Sequence, residues 1–221
     1  MKAKITALHK AALKGDVERL RDLLAAGAPV DGRRDGGDTA LHKAARSSPE
    51  AVAALLDAGA DVNAQEDMGI TPLLVCADAR RLDVCALLLA RGADPNLVAL
   101  GGVTPLLQAI GFDQVEMAKL LIAHGADVNA QDANGYTPVI QATLINSLEL
   151  VKLCVAGGAD VTREIAPGMG PPMAAEVGRR SAIVYALLFG RSEIAAVLEA
   201  AGADRRDFST GDRRGQVLTW G

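Results

Sequence analysis

Three kinds of residue in this chain could carry chemistry, and their spacing decides whether they do. His9 and His42 stand 33 residues apart, each three after a threonine and each followed by Lys-Ala-Ala. Imidazoles in such matched settings belong to neighbouring copies of one unit, whose packed helices lie about 10 Å apart. That is too far to share one metal ion. His124 falls at a variable position near the end of a helix and is expected to be solvated. Asp61, Asp94, Asp127 and Asp160 each follow a Gly-Ala pair. A catalytic carboxylate pair would break a repeating pattern, so carboxylates recurring in register read as a structural turn. Cys76, Cys85 and Cys154 form no Cys-x-x-Cys pair and no even framework, and are expected as buried reduced thiols behaving as small hydrophobes. No phosphate-binding glycine loop, Gly-x-Ser-x-Gly elbow or His-Glu-x-x-His run is present. No catalytic residue, metal site or cofactor is therefore expected, and the chain is read as not an enzyme.

What positions these residues is a beat. Gly-Ala recurs at Gly27, Gly59, Gly92, Gly125, Gly158 and Gly202, at intervals of 32, 33, 33, 33 and 44 residues. Thr6, Thr39, Thr71, Thr104, Thr137 and then Ser181 keep the same time. Thr is a good helix N-cap, and the Pro that follows it at 72, 105 and 138 suits a first helical position. Five residues after each Thr, or after Ser181, comes a small residue (Ala11, Ala44, Cys76, Ala109, Ala142, Ala186), where a second helix must come close. That second helix is amphipathic, as Val115, Ala118, Leu121 and Ile122 illustrate. The recurrent Gly then ends it in the left-handed conformation. Between units lies a short turn with its own glycine (Gly37, Gly69, Gly102, Gly135), and Asn134-Gly135 is a strong hairpin signal.

Thr-Pro-Leu at 71–73 and 104–106, with Thr-Ala-Leu-His-Lys-Ala-Ala at 6–12 and 39–45, resembles the ankyrin-repeat family from about Ile5 to Asp204. The resemblance implies an all-α solenoid of stacked helix-turn-helix units with short β-hairpin fingers. Repeats are expected at about 1–31, 32–64, 65–97, 98–130, 131–162 and 163–204, followed by a tail over 205–221. Repeat two is one residue short, and repeat one lacks a hairpin, as a terminal repeat should. The family's histidine helps tie neighbouring repeats together; Leu74, Leu107, Ile140 and Val184 replace it here, so those joins are expected to rely more on packing. An insertion at about 163–180, rich in Pro and Gly, reads as loop. The tail ends in Val217, Leu218 and Trp220, and is expected to fold back over the last helix, whose outer face offers few polar groups.

The resemblance also implies binding through the concave surface of fingers and first helices. Those positions carry Met68, Ile70, Leu100, Val103, Phe112, Tyr136, Ile145, Tyr185 and Phe189, and four of the chain's six aromatic residues fall among them. Repeats one and two offer Lys10, Lys14, Lys43 and Arg46 instead. The expected function is a protein-interaction module, as scaffold, adaptor or inhibitor. The rival is a small-molecule or lipid-tail receptor with the insertion as a lid. A net charge of −4 argues against a nucleic-acid partner. Met1–Lys10 has no apolar leader core and no 18-residue apolar run exists, so a cytoplasmic monomer without membrane contact is expected.

Overall fold

The computed structural model describes residues 1–165 and 180–205 of the 221. Twelve α-helices run through them as six antiparallel pairs. The first helices are α1 (Lys2–Lys14), α3 (Ala40–Ala44), α5 (Pro72–Asp78), α7 (Pro105–Gly111), α9 (Pro138–Leu144) and α11 (Ala182–Leu188). Their partners are α2 (Val17–Ala25), α4 (Pro49–Asp57), α6 (Leu82–Ala90), α8 (Val115–Ala123), α10 (Leu148–Ala156) and α12 (Ser192–Ala200). First helices stack on first helices and second on second, so the core is a continuous strip shared between neighbours.

The local rules operate as expected. The Thr71, Thr104 and Thr137 hydroxyls accept from the amides of Leu74, Leu107 and Ile140 at 3.2, 3.2 and 3.4 Å. The small-residue slot is 0–4% exposed in all six repeats, which lets the paired helices meet. Glycines 27, 59, 92, 125, 158 and 202 all have φ between 79° and 102°.

The fingers are tighter than paired strands. Each is closed by one amide bonding the carbonyl just before the Thr: Arg34 to Asp38, Glu66 to Ile70, Ala99 to Val103 and Asp132 to Tyr136. Among the described residues only Ala99 and Val103 form a β-bridge. In the sixth repeat Ile165 makes the same bond to Arg180. The readings of the insertion as a lid, and of the tail with Trp220 as a cap, lie outside the described residues.

The joins between repeats do not fall to packing alone. Successive fingers bond through Asp67 N to Gly36 O (3.1 Å), Leu100 N to Met68 O (2.7 Å) and Ala133 N to Gly101 O (2.7 Å). Asn63, Asn96 and Asn129 add a side-chain ladder. Their Oδ1 atoms accept from Asp94, Asp127 and Asp160 amides at 2.7–2.8 Å, and their Nδ2 atoms donate to Gly92, Gly125 and Gly158 carbonyls. Both systems run on across the junctions of repeats three to five, where the histidine is absent, as well as the one bridged by His42.

Where histidine is present it bridges repeats. His42 Nε2 donates to Ile70 O at 2.9 Å while Nδ1 accepts from Thr39 N at 3.2 Å, an arrangement that requires a neutral ring. Burial pushes its pKa below the usual 6.5. The unfolded chain then binds the proton first, so the stability that neutral His42 contributes is full above about pH 6.5. It is lost as pH falls toward the depressed value. Melting curves between pH 7 and 5 should show a steeper loss for the wild type than for His42→Leu, the residue used at positions 74 and 107. Parallel slopes would remove His42 as the cause.

One expectation fails outright. Cys76 and Cys85 are not reduced thiols but a disulfide, with Cα atoms 5.7 Å apart and both residues fully buried. It staples α5 to α6 within repeat three. Cys154 remains a free buried thiol, and burial pushes its pKa up to about 12, which keeps it protonated and inert.

Candidate functional site

The fingers and first helices line a groove, which holds an apolar pocket of about 330 Å³ at the junction of repeats three and four. Met68 and Ile70 from finger three face Ala99, Leu100 and Val103 from finger four. Leu74 and Val75 of α5 and Gln108 of α7 form the floor. Arg46 and Asp78 close the edge toward repeat two as an ion pair at 3.2 Å, and Gln108 Nε2 donates to Asp78 Oδ1 at 3.1 Å. The walls are apolar and held by the finger-to-finger bonds, so the pocket exists before any occupant arrives.

The structure brings four of the nine expected contact residues together here: Met68, Ile70, Leu100 and Val103. Leu100 is 76% exposed and Met68 52%. Leu100 leads a single 3-10 turn, Leu100–Gly102, that thrusts it outward. Phe112, Ile145 and Phe189 follow along the same row at 47%, 37% and 37% exposure. Tyr136 is half-buried against the core, and burial raises its hydroxyl above the usual tyrosine range.

Tyr185 does not belong to this surface. It is fully buried, part of the core, and lies parallel to Phe189 with ring centroids 6.5 Å apart. Its register, four after the capping residue, carries slimmer Gln108 and Gln141 in α7 and α9; a tyrosine ring there turns inward to bury its area. Desolvation holds its hydroxyl above the usual range, with Tyr136 a second cause.

Two arginines shape the aromatic row, and residue type alone did not reveal them. The Arg80 guanidinium lies 5.9 Å from the Phe112 ring centroid and donates to the Phe112 carbonyl at 3.3 Å. Arg191 lies 4.9 Å from the Phe189 ring centroid. Arg80 sits at φ 57°, at a turn position where Gly15, Asp113, Asn146 and Gly190 take the same conformation. That recurrence was the available signal: an arginine in a slot suited to Gly, Asn or Asp costs about 1 kcal/mol. Val98, 51% exposed beside finger four, was also missed.

The basic stretch is weaker than residue counting suggests. Lys43 pairs with Asp38 at 3.0 Å and exposed Arg46 with Asp78, while Lys10 and Lys14 are exposed and form no ion pair among the described residues. Among the described residues no group of three or more His, Cys, Asp and Glu side chains could hold a metal ion. Among them, too, no helix is long and apolar enough to cross a membrane.

Comparison with known proteins agrees with this geometry. A family model described as ankyrin repeats, three copies, matches residues 8–99, 73–165 and 106–208. The chain is 42% identical over 82 residues to a transient receptor potential cation channel subfamily A member 1 homolog of Caenorhabditis elegans, covering 36% of this chain and 7% of that one. It is 38% identical over 78 residues to the E3 ubiquitin-protein ligase KEG of Arabidopsis thaliana, covering 35% and 5%. It is 50% identical over 64 residues to the neurogenic locus Notch protein of Drosophila melanogaster, covering 27% and 2%. The chain thus spans less than a tenth of the length of each of these relatives.

Proposed function

We infer, from the premise that the chain belongs to the ankyrin-repeat family of protein–protein interaction modules, that its groove over repeats three to six captures a protein partner. The observation that carries this reading is the apolar pocket between fingers three and four, rimmed by Leu100 and Met68 in solvent. Exposed large apolar groups on rigid backbone lose little entropy when a partner covers them. Ankyrin repeats are in general non-catalytic, and a scaffold, adaptor or inhibitor would each use the groove in the same way. A monomer working in the cytoplasm, without cofactor or nucleic acid, is part of the same proposal.

The test is Leu100→Asp combined with Phe112→Asp. Both side chains are exposed, so the melting temperature is expected to stay within about 2 °C. Partner capture should fall at least tenfold, the loss of one or two interface anchors. Retained capture with a large loss of melting temperature would overturn the reading. A small-molecule or lipid-tail receptor would instead show ligand density or mass retained in the purified wild type and absent from the double variant.

A further inference from the structure

We propose that the segment captured by the groove is an acidic peptide with a single large apolar anchor, its carboxylates lying over Lys10 and Lys14 of α1. The proposal rests on the groove reading above and adds the chemistry of the partner. Lys10 stands four after Thr6, the register that places Val75 and Gln108 in the pocket, so Lys10 faces the same groove. Lys14 stands eight after Thr6, the register of exposed Phe112. The pair lies one helical turn apart on one face. Their counterparts on repeat two are already satisfied: Lys43 by Asp38 and Arg46 by Asp78. Among the described residues the groove keeps Lys10 and Lys14 without a carboxylate partner at one end and an apolar pocket further along, while Arg80 and Arg191, likewise without one, lie over the Phe112 and Phe189 rings.

The geometry sets a spacing. Neighbouring first helices pack at about 10 Å, so the pocket lies roughly 20–30 Å from Lys10. An extended segment covers that with about 6–9 residues. A helix would need twice as many and would not present its carboxylates within so short a stretch. Two like charges held at that offset select a partner by charge as well as by its anchor.

A displayed library of random 16-residue peptides, selected on the wild-type chain and counter-selected on the Leu100→Asp/Phe112→Asp variant, tests this. Enriched peptides should share one Leu, Met, Phe or Trp with Asp or Glu about 6–9 positions away. Their binding should weaken about tenfold on Lys10→Glu/Lys14→Glu, and a peptide with lysines in place of the acids should regain affinity for that variant. Enriched peptides lacking acids at that offset, or indifferent to the charge reversal, would overturn the acidic partner and leave the groove reading standing. No enrichment over the counter-selected variant would overturn both.

Discussion

Gly102→Ala is expected to destabilise the chain by about 2–4 kcal/mol, while Gly125→Ala costs only about 1 kcal/mol. The two glycines share a positive φ, 77° and 85°, so the conformational penalty is nearly the same. Their surroundings differ. A Cβ on Gly125 meets nothing within 4 Å. A Cβ on Gly102 lies 2.8 Å from Ala133 N, 2.8 Å from Asp132 Cα and 2.9 Å from Asp132 C, all backbone. Finger five would have to retreat, and the bond from Ala133 N to Gly101 O at 2.7 Å would break. That finger cannot simply bend, because the Asp132 carboxylate already holds the Asn134 and Tyr136 amides at 2.9 Å. Urea midpoints for the two variants measure the difference, and equal shifts would remove the close approach of fingers four and five as its cause. Gly102 also sits between Leu100 and Val103, so the costlier substitution should weaken partner capture too.

Removing the disulfide is the second large effect. Cys76→Ala with Cys85→Ala is expected to cost about 2–3 kcal/mol, the loop-closure entropy that a cross-link nine residues apart withdraws from the unfolded chain. Packing should contribute little, because fully buried Ala109 and Ala118 occupy the equivalent positions of repeat four. The control is internal. Reductant should lower the melting temperature of the wild type toward that of the double variant and leave the variant unmoved. A reductant effect of the same size in both chains would show that it acts elsewhere. Leu74 and Val75 line the pocket directly beside Cys76, so the cross-link also helps fix the floor of the groove.

The sequence by itself determined the local parts of the repeat, though not the Asn63, Asn96 and Asn129 ladder that joins one repeat to the next. The period, the Thr caps, the small-residue slots and the terminating glycines each follow from backbone geometry within a few residues, and each recurs often enough to be read without coordinates. The exposed row of Met68, Leu100, Phe112, Ile145 and Phe189 was legible for the same reason, since register fixes which way a helix or fingertip points. The tertiary structure decided what breaks the period and pairs residues across it. The pairing of Cys76 with Cys85 depends on the approach of two antiparallel helices, which residue spacing alone did not reveal. Tyr185 shares a register with Gln108 and Gln141, yet the size of its ring sends it into the core. Arg80 over Phe112, and Asp38 and Asp78 neutralising Lys43 and Arg46, join side chains of different repeats or turns. Such contacts are set by how far a long side chain can reach once the repeats are stacked, and that distance exists only in the folded chain.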